Sequence, residues 1–291
     1  MKISEVLELL LLAALWGGSF LFLRMASPAI GPVWLIEFRV LIAGLVLLPL
    51  LIRLDLLREL RRHWQSLAMV GLLNSAFPFV LLAFASLSLP AGFTSILNAT
   101  APLFGTAIAI LWLKEEFSPS RLLGLLLGFA GVVVLVGWQF RATPGFFASV
   151  AAGLTAALMY AIAAPYIKQK LSGVNSLTIA TGSQLSAAIA LFPLLPFTVP
   201  KKSPPSEIIL AILALALFST ALAYILYFRL IRNVGSTRAL TVTYLIPVFA
   251  MLWGAIFLTE SITLAMILGC GCVLLGTAIA NGVFNRFLLK M

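Results

Sequence analysis

Ten apolar stretches of roughly twenty residues each, the length one helix needs to cross a bilayer, follow one another through the chain. They cover 6–26, 33–52, 66–86, 91–113, 120–138, 145–167, 175–197, 207–228, 235–258 and 262–284, with short charged or Pro/Gly-bearing joins between them. Hydrocarbon offers the backbone no water, so each stretch must close its own hydrogen bonds as a helix. Runs of alternating polar and apolar residues, the mark of a barrel strand, are absent. The expected fold is therefore all-α, a polytopic membrane protein of ten transmembrane helices. Composition excludes a single soluble core: 62% of residues are hydrophobic and 10% charged, against about 45–50% and about 25% in soluble domains. The first stretch, from near Val6 to about Ala26, is too long for a signal-peptide core and no small-residue cleavage site follows it. It reads as the first span.

The net charge of +10 suggests nucleic acid until the basic residues are placed. With the N-terminus on the cytoplasmic side, the inner joins hold Lys2, Arg53, Arg58, Arg61, Arg62, Lys114, Arg121, Lys168, Lys170, Arg229, Arg232, Arg238, Arg286 and Lys290. The outer joins hold Arg24, Arg141, Lys201 and Lys202, and Arg39 alone lies inside a span. This bias puts both termini in the cytoplasm. The charge then faces lipid headgroups; the bilayer is the expected partner and nucleic acid is not. Cys270 and Cys272 lie two apart in one apolar helix, on different faces, and carry no redox information.

Shifting the chain by 145 residues superposes Pro102 on Pro247, Phe104 on Phe249, Leu113 on Leu258 and Glu115 on Glu260. Gly124, Gly131 and Gly137 then fall on Gly269, Gly276 and Gly282. Two five-helix halves follow, 1–140 and 141–291. Five is odd, so equivalent helices run in opposite directions, a 5+5 inverted repeat of the kind that secondary transporters build around a midplane site. Duplication kept for folding alone is the other reading.

The run Ala13-Ala-Leu-Trp-Gly-Gly-Ser-Phe20, Pro102 through Leu113-Lys-Glu-Glu116, the Gly124/Gly131 spacing and the second copy at Pro247 through Leu258-Thr-Glu260 resemble the EamA domains of the drug/metabolite transporter superfamily. The resemblance covers nearly the whole chain as two copies, and within the superfamily it extends to the YddG-type amino acid exporters. It implies ten helices with both ends inside, a bacterial inner-membrane location, a central cavity, and export of amino acids or related metabolites.

A proline inside a span leaves the carbonyl four residues earlier without its donor. Pro102 frees Asn98, Pro247 frees Thr243 and Pro78 frees Asn74, which makes these three prolines candidate hinges beside bare carbonyls at mid-depth. A plain kink satisfied by a local side chain is the alternative. Trp16, Phe79, Tyr160, Tyr224, Tyr227 and Tyr244 are candidates for an aromatic cavity wall, with Ser19, Thr94, Asn98, Thr241 and Thr243 supplying hydrogen bonds; a few polar groups in an apolar pocket suit a small-molecule ligand. Arg39 has three open readings: holding a substrate carboxylate, locking the halves, or snorkelling to the outer surface. The nine acids all fall near helix ends or in joins, so no mid-membrane proton relay is evident. Glu115 and Glu260 are expected to cap the helices that follow them.

No catalytic, metal or cofactor constellation is present: His63, the sole histidine, lies in an inner join, acidic clusters are lacking, and neither cysteine has a base in its span. The charged rings or carbonyl filter loops of a channel do not recur either. Gly124 and Gly128 form a small-xxx-small pair that packing within one chain and dimerisation explain equally well, so the expected state is a monomer or weak homodimer.

Overall fold

The computed structural model describes residues 2–111, 118–137 and 145–281, and among them all regular structure is helical. Eight helices are long and apolar enough to cross a membrane: α1 Ile3–Ile30, α2 Pro32–Arg53, α3 Trp64–Ala85, α4 Ala91–Leu111, α5 Pro119–Gly137, α6 Phe146–Lys170, α7 Ser176–Phe197 and α8 Ser206–Val234. Two shorter apolar helices follow, α9 Val242–Leu258 and α10 Leu264–Ala280. The expected ninth run, 235–258, is thus not one helix. A single turn at Ser236–Ala239 is followed by a break at Leu240 and Thr241, where the hydroxyls of Thr241 and Thr243 bond back to the carbonyls of Arg238 and Leu240. Side chains of this kind offer the backbone an alternative to the helix ladder. The end of the expected tenth run lies outside the described residues, as does Glu115.

Local chemistry sets the joins. Gly31 is the only residue between α1 and α2, and its φ of +80° suits glycine; Pro32 then opens α2 where a missing N–H costs nothing. Asn175 starts α7 by accepting from the Leu177 amide at 2.9 Å. Glu59, in a short helix Leu57–Arg62, receives the Asn175 amide and the Thr178 hydroxyl and so fastens the α2–α3 join to that start.

The packing pairs helices five apart. α5 lies on α10, α2 on α7 and α4 on α9, while α1 meets α8 and α9 as α6 meets α3 and α4. The α5–α10 contact is glycine against glycine. A Cβ on Gly124 would sit 2.6 Å from the Gly276 carbonyl oxygen, and one on Gly131 would sit 2.8 Å from that of Gly269. Position 124 therefore meets 276 while 131 meets 269, so these two helices run antiparallel. The Gly124/Gly128 face is used up inside the chain: a Cβ on Gly128 would strike Leu103 at 2.3 Å.

Two π-helical turns occur among the described residues, at Leu72–Ala76 in α3 and Leu217–Leu222 in α8. These too begin 145 residues apart.

Candidate functional site

A cavity of about 370 Å³ lies among α1 to α4, α6 and α8 to α10, within the size range of small-molecule sites. Irregular backbone shapes it. α4 is helical to Asn98, turns through Ala99 and Thr100, and resumes at Ala101; the Thr100 hydroxyl holds this turn on the Leu97 carbonyl at 2.6 Å. The second break, at Leu240, and the two π turns expose further wall residues. Much of the lining recurs at the 145-residue spacing: Asn74 with Ser219, Phe79 with Tyr224, Leu82 with Tyr227, Ser95 with Leu240, Asn98 with Thr243, Ala99 with Tyr244, Ala101 with Ile246, and Pro102 with Pro247.

Arg39 reaches this cavity from α2 and is 5% exposed, so it does not snorkel to the surface. Its Nε donates to Thr220 Oγ1 at 3.0 Å, across the repeat, and its guanidinium lies 3.8 Å from the centroid of the Phe79 ring. Thr220 in turn donates to the Leu215 carbonyl at 2.8 Å, the fifth residue back, which is the acceptor that a π turn leaves in reach. The same construction recurs at positions 145 residues on or back: Gln184 Nε2 donates to Ser75 Oγ at 2.9 Å. Gln184 is fully buried and does not line the cavity.

Of the expected residues, Trp16, Ser19, Arg39, Phe79, Asn98, Tyr160, Tyr224, Tyr227, Thr243, Tyr244, Pro102 and Pro247 line the cavity. Trp16 stacks obliquely on Tyr227, ring centroids 5.1 Å apart. Thr94 and Thr241 are not part of the wall. Thr94 is fully buried with its hydroxyl on the Pro90 carbonyl, and Thr241 is exposed with its hydroxyl on that of Arg238. Ser95, one residue on from Thr94, takes the wall position instead.

The prolines also differ from expectation. Pro102 is the second residue of a restarted helix rather than a mid-helix kink, so no ladder bond is lost there. Pro78 comes two residues after the π turn, at whose end the Phe77 amide reaches back to the Leu72 carbonyl, and it does not line the cavity. Only Pro247 lies well inside its helix. Residues not foreseen include Ser219 and Thr277, both polar and on the wall. Glu37, expected near a helix end, sits in the second turn of α2 and is buried there, 4% exposed, with Oε2 unpartnered and away from the cavity lining.

The two ends of the bundle are built differently. At the end opposite the N-terminus, Glu260 caps α4 rather than the helix after it: its Oε2 accepts from the Ala91 amide at 2.8 Å, while Thr263 caps α10. Its Oε1 lies 3.4 Å from Arg24 Nε. Arg24 also donates to the carbonyls of Ser86 and Leu87, so one knot joins α1, the α3–α4 join and the α9–α10 join. Gly254 makes room for it, since a Cβ there would be 2.5 Å from Glu260 Oε2, and Thr259 takes the left-handed φ of +54° that turns the chain back. At the N-terminal end Arg229 pairs with Glu8 at 3.5 Å, and Leu240, a cavity residue, is 49% exposed.

Known proteins resemble this chain. An uncharacterized transporter of Archaeoglobus fulgidus is 26% identical over 271 residues, covering 92% of this chain and 95% of its own. A probable terminal-alkyne amino-acid exporter of Streptantibioticus cattleyicolor is 24% identical over 264 residues, 89% and 88% of the two chains. A solved crystal structure superposes with a TM-score of 0.68 at 20% identity over 99% of each chain, a likeness of fold. The pattern of the EamA-like transporter family matches residues 3–137 and again 147–282. The chain is a membrane protein of the EamA-like transporter family.

Proposed function

We propose that this transporter exports small metabolites, amino acids foremost, by alternating access between two inverted five-helix halves, 1–140 and 141–291, in a bacterial inner membrane with both termini cytoplasmic. The observation that carries the reading is the paired lining of the cavity. Equivalent positions of both halves face one mid-depth space, which is where a rocking pair of repeats holds its cargo. The antiparallel contact of α5 with α10 supports the inversion, since these are equivalent helices. The weight of basic residues at one end supports the orientation. Amino acids come first because the relative from Streptantibioticus cattleyicolor is named as a probable exporter of one, and because Arg39 offers a carboxylate a charged partner.

In this mechanism the knot around Glu260 closes the outer end while substrate enters beside Leu240. Opening outward requires Arg24 and Glu260 to part and the α4 cap to be released. The test is counterflow in proteoliposomes loaded with unlabelled L-phenylalanine and challenged with the labelled compound. Saturable, stereospecific accumulation is expected; flux that rises linearly with concentration would identify a channel instead.

A further inference from the structure

The cavity holds one formal charge and no counter-charge. Arg39 is its only ionised side chain, and no Asp or Glu lines it among the described residues. The bond to Thr220 is the only hydrogen bond that Arg39 makes among them, which leaves four of the five N–H groups of a guanidinium without a protein acceptor. An ionised group at this depth, left without an anion, is a binding site by default, and the planar fork of N–H donors matches a carboxylate.

The remaining polar groups are all neutral. Ser19 Oγ, Asn98 Oδ1, Ser219 Oγ and Thr277 Oγ1 are buried, lack hydrogen-bond partners and belong to residues of the cavity wall. A substrate ammonium would find no anion among them, and it would share a low-dielectric space with the Arg39 cation, which repels it. Asn74, Ser95 and Thr243 are further neutral polar residues of the wall, and the rest of it is aromatic or apolar, with Trp16, Phe79, Tyr160, Tyr224, Tyr227 and Tyr244 around it.

Resting on the transport reading above, we infer that the cavity selects small monocarboxylates with an apolar or aromatic body, read through Arg39, and does not require an α-amino group. Carboxylic acids lacking that group, and their hydroxy and oxo analogues, then belong to the same substrate class as amino acids. Amines of the same shape do not.

Three probes that differ only in their charged groups test this: L-phenylalanine, 3-phenylpropanoate and 2-phenylethylamine, each used as competitor in counterflow and as ligand in thermal-shift measurements on the purified protein. The expected result is half-saturation by phenylpropanoate at or below that of phenylalanine, with the amine weaker by about thirtyfold or more, the scale of one charge-assisted bond pair. Arg39→Gln should weaken both carboxylates by about tenfold or more and, with the repelling cation gone, strengthen the amine, with Arg39→Lys between for the carboxylates. Phenylalanine that is carried saturably while phenylpropanoate neither binds nor competes would overturn the inference and spare the transport reading. Arg39-dependent binding of both carboxylates without saturable exchange would do the reverse. The comparison of probes needs only the native protein, so a poorly folding Arg39 variant does not protect the inference.

Discussion

At position 39 the first half carries an arginine; 145 residues on, at 184, the second half carries a glutamine. Both side chains cross to the other half and end on a hydroxyl of its π turn, Arg39 on Thr220 at 3.0 Å and Gln184 on Ser75 at 2.9 Å. The geometry is shared and the chemistry is not. Arg39 faces the cavity, whereas Gln184 is sealed away from it. The same divergence runs along the wall, where Phe79, Leu82 and Ala99 of the first half answer to Tyr224, Tyr227 and Tyr244 of the second. One half therefore brings the charge and the indole of Trp16, and the other brings phenol hydroxyls. A duplicated backbone set the frame, and the asymmetry between copies is what gives a ligand a head end and a tail end.

The sharpest way to break the shared part is at the glycine seam. A Cβ on Gly276 would sit 2.5 Å from the Gly128 amide nitrogen and 2.6 Å from the Gly124 carbonyl oxygen, and backbone cannot yield as a side-chain tip can. Gly276→Val should destabilise by about 3 kcal/mol or more, at the upper end of overpacking costs, and be read as loss of monodisperse protein or a large drop in Tm. Gly131, its equivalent in the first half, should respond alike if the two copies share one frame.

The unshared part predicts the next largest effect. Arg39→Leu should lower carboxylate flux by about a hundredfold, the loss of a bidentate charged contact. Gln184→Leu should leave flux within about threefold and cost about 1–3 kcal/mol of stability for the orphaned Ser75 hydroxyl. Equal flux losses from the two substitutions would show that both side chains act only as cross-half ties. Leverage at the Glu260 knot is smaller. Glu260→Ala removes the partner of Arg24 and the cap of α4, together about 1–2 kcal/mol. In a background lacking Cys270 and Cys272, a cysteine at Ser19 should then be labelled several-fold faster by an impermeant reagent added from the outer side. Unchanged labelling would remove the knot from any gating role.

The repeat, the apolar runs and most of the wall aromatics could be read from residue types alone, because bulk, charge and period survive without coordinates. What could not be read depended on rotation or on partner choice. Thr94 and Ser95 differ by one position, and only the turn of α4 in place decides which faces inward; Thr243 and Thr241 divide in the same way. Ser219 was within reach, since the repeat spacing carries Asn74 onto it, but the likeness of an amide and a hydroxyl is invisible to a search for identical landmarks. The Arg39–Gln184 equivalence hides for the same reason. The break at Leu240 and Thr241 has no glycine or proline to announce it, only threonines whose hydroxyls turn back on the chain.

The smallest predicted effect concerns the π turns, where one half has a proline and the other does not. Pro78 follows the turn at Leu72–Ala76, but its counterpart after Leu217–Leu222 is Ala223. A π turn that forms beside alanine does not need proline to create it. What the two turns do share is a buried hydroxyl, Ser75 or Thr220, held by a side chain from the other half. Pro78→Ala should therefore keep the turn and change stability by no more than about 1 kcal/mol, the stiffness that proline lends the unfolded chain, with flux unaltered. A folded Pro78→Ala protein that had lost transport would instead make this proline a working hinge and confine the likeness of the two π turns to their appearance.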